Sequence, residues 1–281
     1  MDPVVVTVSR QGPPLWRVSS GADEVWVLGV MGGVKSADWD TRRLERVLAS
    51  STGVSLQPEG RVDLTAMAGL QLTGRLDSPR GAVLSDLLGP LAWARATAVW
   101  SAAGLSANAY RRRRPGIAAI LGAFDYDPAN HLLDPEATIR KLAAERRVPA
   151  RPVAVYPANR LVGAVAALPV AKAVACYQAE TDALQFETAH RDAEEAAWRT
   201  SDVAKMREHG LRADVWDCLS DADPVIGSFL NRTIDDPVAK VRDALARHQR
   251  TLFVLSVGPL IQPQGVLAKL KAQGYRVDSP D

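Results

Sequence analysis

Two short apolar segments near opposite ends of the chain constrain its fold more than any other feature. VWVLGVMG covers residues 25–32, and LFVLSVGPLI covers residues 252–261. Both segments have the β-branched and aromatic residues of buried strands, and each strand ends at a glycine, Gly29 in the first and Gly258 in the second. Strands at both ends of one chain predict a central sheet that the two terminal regions build together.

The N-terminal region predicts further elements of the same sheet. Residues 4–8 predict a strand. Residues 36–51 place apolar side chains on one helical face, and Asp38 or Ser36 is the expected N-cap. Residues 53–57 return as a strand, so that strand, helix and strand follow one another as in a βαβ unit.

The middle of the chain predicts mostly helices. Helix-forming residues with apolar repeats lie at 84–104, 134–147 and 180–199. The second of these helices has Asp134 as its expected N-cap, followed by a proline at the first helical position. Residues 150–158 predict a strand that ends at a proline.

The C-terminal region returns to the opening pattern. Residues 235–249 predict a helix that starts at a proline, and residues 251–258 predict a strand. A helix with a glycine C-cap is expected at 265–274. The fold class is therefore mixed α/β, or α+β, with a central sheet flanked by helices.

These elements predict a single domain that covers residues 1–281. Within it, residues 1–60 and 250–281 are expected to form the sheet, and residues 61–249 are expected to be mostly helical. The composition agrees with a globular chain, because 47% of the residues are hydrophobic and 23% are charged.

Charge and hydropathy bear on partners and location. The 34 basic and 32 acidic residues give a net charge of +2, so no overall field attracts nucleic acid or an anionic membrane. The longest apolar run, residues 161–177, is interrupted by Pro169 and Lys172 and falls short of the roughly 20 residues that span a bilayer. We expect neither a transmembrane segment nor a nucleic-acid partner.

The first ten residues, MDPVVVTVSR, lack the basic region and the continuous apolar region of a signal peptide. The chain is therefore expected in the cytoplasm, or as an exported protein whose leader has been removed. Cys176 and Cys218 leave two readings open. They are two separate buried thiols, or they form one disulfide, which would require an oxidising compartment.

Three segments resemble the TraB/GumN family, which is related to the PrgY and Tiki proteins. PPLWRVSSGADEVWVLGV, residues 13–30, resembles the family's opening pattern of Leu-Trp-Lys/Arg-Val, a polar turn and a strand that ends in Gly-x-x-His. Residues 251–277 resemble its closing pattern, which contains a second Gly-x-x-His. Residues 229–245 resemble its Asn-Arg helix. The order and spacing of these segments cover nearly the whole chain.

The resemblance implies a metal-dependent hydrolase ancestor. Its two histidines and an acidic residue after the second strand would bind the divalent metal. In this chain the histidine positions fall on Gly32 and Ile261, and the acidic position falls near Gln57. Glycine and isoleucine supply no ligand atom, and a neutral amide oxygen replaces a carboxylate poorly on zinc or manganese. The sequence therefore predicts a lost metal site, no cofactor and no catalysis.

The resemblance also implies a cleft beside this site. Asn231 and Arg232 match the family's Asn-Arg pair, although they could equally be an ordinary helix-surface pair. The candidate cleft residues are Gly29, Gly258, Asn231, Arg232, Tyr110 and Arg114. Proteins of the GumN type tend to be exported, which agrees with a disulfide between the two cysteines. We therefore expect a periplasmic or otherwise exported protein that binds or scaffolds an unknown protein or peptide, with a cytoplasmic location as the alternative.

A metal-dependent hydrolase with substitute ligands is the first alternative function. Glu59 and Asp63 follow the lost acidic position closely and could supply carboxylates. The histidines do not pair at helical spacing, and residues 187–199 are expected to form a solvated, charged helix face. The four histidines are His131, His190, His209 and His248.

A polyanion binder is the second alternative. The run Arg111–Arg114 could contact phosphates, or it could lie at a helix end with its side chains solvated or paired with acids. The glycine-rich loop GVMGGV matches neither the dinucleotide-binding nor the P-loop spacing, so we do not expect it to bind a nucleotide.

Overall fold

The computed structural model describes residues 12–210 and 214–280 of a mixed α/β protein. The strands are β1 Leu15–Ser20, β2 Asp23–Val30, β3 Gly53–Leu56, β4 Glu59–Arg61, β5 Ala150–Pro152, β6 Val155–Pro157, β7 Thr251–Ser256 and β8 Arg276–Asp278. The helices are α1 Arg42–Ser50, α2 Leu64–Leu72, α3 Leu84–Leu88, α4 Pro90–Ala102, α5 Pro115–Ala129, α6 Pro135–Glu145, α7 Ala158–Ala167, α8 Val170–Arg199, α9 Val203–Gly210, α10 Val215–Ala222, α11 Pro224–Ala246, α12 Val257–Ile261 and α13 Val266–Ala272. The predicted strand at 4–8 lies outside the described residues.

Within residues 12–210 and 214–280, the central sheet has six strands in the order β5-β3-β7-β2-β1-β8. Strands β5, β3, β7 and β2 are parallel, whereas β1 is antiparallel to both of its neighbours. The C-terminal strand β7 lies between the N-terminal strands β2 and β3. This arrangement confirms that both ends of the chain build one sheet. The middle region adds one strand to it, β5, and a separate ribbon pairs β4 with β6.

Two groups of buried apolar side chains fill the interior. The sheet core packs against the strands and includes Leu15, Leu28, Leu48, Phe253, Leu270 and Trp198. The helical core lies among α4, α5, α7, α8, α10 and the first turns of α11 and includes Trp100, Tyr177, Leu184, Ile226, Val165 and Leu219. Helix α8 contributes side chains to both cores, because its first half packs in the helical core and its last turns reach the sheet core.

The predicted helix at 36–51 starts later than the sequence indicated. Helix α1 begins at Arg42 with Thr41 at the N-cap position, so the prediction of Asp38 or Ser36 as the cap is wrong. The preceding residues form a loop, which arginines of α8 hold in place through its carbonyl oxygens. Trp39 in this loop is buried, as the apolar pattern indicated.

Two other helices differ from their predicted bounds because of glycine and proline. The predicted helix at 84–104 is divided at Gly89, whose φ of +76° ends α3 and begins α4. The predicted start of a helix at 235 is wrong, because α11 begins at Pro224, where Asp223 caps it, and continues through Pro237. A buried apolar face keeps α11 continuous although this internal proline supplies no N–H.

The remaining predicted elements agree more closely with the structure. Asp134 caps α6 by accepting the N–H of Glu136 at 2.8 Å. Residues 150–158 divide into β5 and β6. Helix α13 is followed by Gly274 with a φ of +88°, the left-handed conformation that the C-terminal glycine predicted.

Cys176 of α8 and Cys218 of α10 form a disulfide, with their sulfur atoms 2.09 Å apart. Of the two readings of the cysteines, the structure therefore favours the pair. Among the helices of the described residues, no single one is both long and apolar enough to cross a membrane.

Candidate functional site

The three positions where the resemblance implies metal ligands follow three neighbouring parallel strands. Gly32 follows β2, Gln57 follows β3, and Ile261 ends the short helix that follows β7. The carboxyl ends of these strands lie at one edge of the sheet, which we call the carboxyl edge. Ligands of open α/β sheets commonly bind at such an edge, so the geometry of each position matters.

The loop after β2 lies tightly against α5. The N–H of Gly33 donates to Oδ2 of Asp127 at 2.7 Å. A Cβ atom added at Gly32 would lie 3.2 Å from the same carboxylate oxygen, and one added at Gly33 would lie 2.3 Å from the side chain of Leu132. The space beside Gly32 is therefore occupied by a carboxylate, and only glycine fits at position 33.

A buried guanidinium lies below this loop. Arg191 of α8 is 6% exposed, and its Nη2 donates to the carbonyl oxygen of Gly33. Its Nη1 bonds to Glu187 at 2.7 Å, and Nη2 lies 3.7 Å from Asp127. The Nε atom has no hydrogen-bond partner among the described residues. The positive charge of the Arg191 side chain therefore lies beside Gly33 and Asp127.

The surroundings of Glu187 raise its pKa. Burial raises the pKa of Glu187 to about 7, and the charges of Glu194 and Asp127 act in the same direction. Arg191 lowers it, because a neighbouring cation favours the ionised carboxylate. The burial effect is larger, so Glu187 is partly protonated near neutral pH.

A second carboxylate and a second arginine of α8 fix the next part of the loop. Glu195 is buried and accepts the N–H of Lys35 at 2.9 Å. Arg199 bonds to Glu195 at 2.6 Å and donates to the carbonyl oxygens of Ser36, at 2.8 Å, and of Asp38. Two acid–arginine pairs of one helix therefore hold the loop from residue 33 to residue 38.

Gln57 lies in a different environment. Its Oε1 accepts the hydroxyl of Ser256, so the ends of β3 and β7 are joined by a side-chain hydrogen bond. Its N–H lies 3.4 Å from Oε2 of Glu136, a buried carboxylate that accepts Nε of Arg140 at 2.9 Å. Arg140 also pairs with Glu59 at 3.0 Å. The two acids near Gln57 are thus both paired with one arginine.

Ile261 is buried at the end of α12. It is 5% exposed and belongs to the sheet core. It also lines a cavity of about 370 Å³, whose wall contains apolar residues such as Trp16 and the charged residues Arg207 and Lys271. Gly32, Gln57 and Ile261 therefore have three separate environments: a carboxylate, a polar strand junction and the sheet core.

The strand-end glycine Gly29 is part of the packing. Its carbonyl oxygen accepts Nε1 of Trp198 at 2.9 Å. A Cβ atom at this position would lie 2.9 Å from Trp16 and 3.3 Å from Leu260. The counterpart Gly258 is the second residue of α12. Gly29 allows close approach of side chains from α8, α12 and β1, and supplies no surface for a ligand.

The Asn-Arg pair lies on the outer side of α11. Asn231 and Arg232 are both exposed. The Arg232 guanidinium lies 5.3 Å from the ring centre of Tyr156 and 5.5 Å from that of Phe229. Tyr156 donates to Asp236 at 2.7 Å, which together with burial raises the pKa of its hydroxyl. Stacking on two aromatic rings accounts for the position of Arg232.

Tyr110 and Arg114 lie away from the carboxyl edge. Tyr110 packs edge-on against Trp100 in the helical core and donates to Asp125. Asp125 and Asp127 are two residues apart on α5, so they point to nearly opposite sides of that helix. Arg114 is the N-cap residue of α5. The structure thus does not bring this pair to the loop that contains Gly32.

The two substitute carboxylates have other partners. Asp63 caps α2 by accepting the N–H groups of Thr65, at 2.8 Å, and Ala66, at 3.3 Å. The hydroxyl of Thr65, at 2.6 Å, lowers the pKa of Asp63 most, and the two backbone bonds act in the same direction. Glu59 pairs with Arg140. Among the described residues, no group of three His, Cys, Asp or Glu side chains is placed to hold a metal ion. The donor set at the carboxyl edge does not fit the divalent metal that the resemblance implies.

The most buried polar groups at this edge were absent from the sequence-based candidates. The prediction of a solvated helix face at 187–199 is wrong for Arg191 and Glu195, because both side chains are buried. Their charge was the reason for placing them in solvent. The available signal was their spacing, since Glu187, Arg191 and Glu195 follow one another at four-residue steps with Trp198 on the same side.

The fold and the site define a class of mixed α/β protein. Its parallel strands end at one carboxyl edge, and acid–arginine pairs hold the loop at that edge in place. The model of the TraB/PrgY/gumN family matches residues 14–279. The chain therefore belongs to the TraB/PrgY/gumN family. Comparisons with curated proteins and with solved structures found no match.

Proposed function

We propose that this TraB/PrgY/gumN-family protein has a degenerate metal site and acts by binding or scaffolding, without catalysis. The observation that carries the proposal is the buried guanidinium of Arg191 beneath the loop that contains Gly32. A cation fixed beside Asp127 disfavours a second cation there, because like charges repel strongly where water is excluded. The carboxylate that would attract a metal is already hydrogen-bonded to Gly33.

The alternative, a hydrolase with substitute ligands, has less support. Glu59 would have to leave Arg140, and Asp63 would have to leave the N-terminus of α2. Loss of an N-cap destabilises a helix by about 1 kcal/mol. A metal site at these residues would therefore need a rearrangement of both elements.

We further propose that the protein works in an oxidising compartment of the cell envelope, such as the periplasm. The disulfide between α8 and α10 supports this location, because such bonds persist mainly outside the cytoplasm. Mass spectrometry of the protein from its native source, without reductant, tests this point. Two free thiols in that material would contradict the proposal that the protein is exported.

Metal analysis tests the loss of the site most directly. We expect purified protein to contain no stoichiometric metal, and zinc, manganese and cobalt to give the same melting temperature as EDTA, because ions that do not bind the native state do not stabilise it. A matched variant, Arg191→Met, leaves Asp127 and Glu187 without their guanidinium and should gain weak affinity for these ions. Stoichiometric metal in the unmodified protein, or no gain in the variant, would contradict the proposal.

A further inference from the structure

Helix α2 is apolar on its solvent side as well as on the side that contacts the protein. Its sequence, LTAMAGLQL, contains no charge, and none of its residues is buried. Met67 and Leu70 pack on the helical core, whereas Leu64 is 79% exposed and Leu72 is 88% exposed. Helices that are apolar on all sides normally lie inside a core or in contact with lipid.

The exposed apolar residues of α2 share one face. Leu64, Ala68 and Leu72 follow one another at four-residue steps, which places them on the same side of the helix. Thr65 and Gly69 lie beside these residues, so this face of the helix has no charged group. The outward face of α2 thus differs from an ordinary solvated helix face, which is charged or polar.

A run of arginines adjoins the last turn of this helix. Nη1 of Arg113 donates to the side chain of Gln71 at 2.7 Å and to that of Asp77 at 2.8 Å. Arg111 and Arg112, the preceding residues, are exposed and form no ion pair with any described residue. The exposed leucines and unpaired guanidinium groups therefore belong to neighbouring parts of one surface.

The segment of the chain that contains α2 and the arginine run is basic. Residues 59–114 contain eight arginines and four acidic residues, a net charge of +4, while the whole chain carries +2. The remaining residues therefore carry a net charge of −2. The chain is nearly neutral as a whole, but the segment that includes α2 and the arginine run is basic.

We infer that α2 and the run Arg111–Arg114 form a docking surface for a bilayer that contains anionic phospholipids. Leucines of an interfacial helix enter the boundary between headgroups and acyl chains, while arginines beside it bind lipid phosphates. A nucleic acid would use the arginines but leave Leu64 and Leu72 in water. A lipid surface uses both features. This surface is separate from the carboxyl edge and does not depend on the function proposed for it.

Vesicle co-sedimentation of the full chain tests the inference. The vesicles contain phosphatidylcholine, with or without phosphatidylglycerol, and binding is measured at low and high salt. We expect binding to the anionic vesicles alone, weakened by salt. Arg111→Gln with Arg112→Gln should lower the partition constant about fivefold per arginine, because each arginine near an anionic surface contributes about 1 kcal/mol.

The leucine pair is the decisive variant. Leu64→Gln with Leu72→Gln should lower the partition constant about tenfold or more, since apolar burial contributes about 25 cal/mol per Å². Val225→Gln, at another exposed apolar residue, and Lys240→Gln with Arg242→Gln, on α11, are matched controls that should bind normally. Unchanged melting temperatures verify that the variants are folded.

Three results would overturn the inference. The first is equal binding to vesicles with and without phosphatidylglycerol. The second is no loss of vesicle binding in the folded leucine variant. The third is binding to duplex DNA with no binding to anionic vesicles, which would assign the arginines to a nucleic acid.

Discussion

The sheet core and the helical core differ in the partners of their buried carboxyl groups. At the sheet core, buried carboxylates lie at the carboxyl edge and are paired with arginines, as Glu195 is with Arg199. In the helical core, Glu180 of α8 is 4% exposed and accepts the N–H of Val215, and no arginine of the described residues pairs with it. The helical core also contains the disulfide.

This difference indicates that charge fixes a loop in one region, while a covalent bond holds helices together in the other. The carboxyl edge keeps its shape through two acid–arginine pairs of α8 that hydrogen-bond to the backbone of the loop. The helical core contains Glu180, whose raised pKa keeps it protonated at neutral pH, and the disulfide between α8 and α10. Helix α8, about 45 Å long by its 30 residues, joins the two regions.

The largest expected effects come from a matched pair of tryptophans. Trp198 of the sheet core and Trp100 of the helical core are both fully buried, and each donates its N–H, to Gly29 and Thr181 respectively. Trp198→Ala and Trp100→Ala should each lower the free energy of unfolding by about 3–5 kcal/mol. Because α8 connects the cores, we expect both variants to shift one and the same denaturation transition.

Urea denaturation followed by circular dichroism and by fluorescence checks this prediction. Coincident curves from the two probes in both variants would agree with one cooperative unit. Two separate transitions, each sensitive to only one substitution, would divide the described residues into independent units and contradict the predicted single domain.

The disulfide should give the next largest effect, which should be strongest in the helical core. Cys176→Ala with Cys218→Ala opens a loop with a sequence separation of 42 residues. The chain-entropy relation assigns about 4 kcal/mol to a loop of this size, and strain usually reduces the measured value. Hydrogen exchange should show faster opening of α10 than of the central strands. Equal acceleration in β2 and β7 would mean that the bond does not act locally.

The smallest effect is a pH dependence that separates the two regions. Burial, with smaller contributions from Asp214 and Glu187, raises the pKa of Glu180 from 4.5 to about 9. Between these values the folded state holds a proton that the unfolded state has lost, so the free energy of unfolding falls as pH rises. Glu180→Gln removes this loss and should stabilise the protein at pH 7 by about 1 kcal/mol or more.

Chemical denaturation at several pH values between pH 5 and pH 9 measures this slope, with exposed Glu208→Gln as the control. Glu187, whose pKa is about 7, leaves part of the slope in the Glu180 variant, and that part should end near neutral pH. An unchanged slope up to pH 9 in Glu180→Gln would show that Glu180 is not the group responsible.

The sequence predicted the main elements of the sheet because strands and caps are local. β-branched runs indicated β2 and β7, and Asp134 before a proline indicated the start of α6. Helix bounds were less accurate where the local signal was opposed by tertiary contacts. Thr41 precedes α1 because Arg199 holds Ser36 and Asp38 in a loop, and no residue within the helix itself indicates this.

By itself, the sequence indicated strands near both ends of the chain, and it shows Gly32, Gln57 and Ile261 at or near the positions where the family resemblance implies metal ligands. Residue identity is enough for such statements, because glycine and isoleucine have no side-chain ligand atom in any fold. Only the tertiary structure decided that β7 lies between β2 and β3 and that Arg191 lies buried beneath the loop. The physical reason is that strand order and the burial of a charge depend on partners from distant segments, such as Asp127 and Gly33.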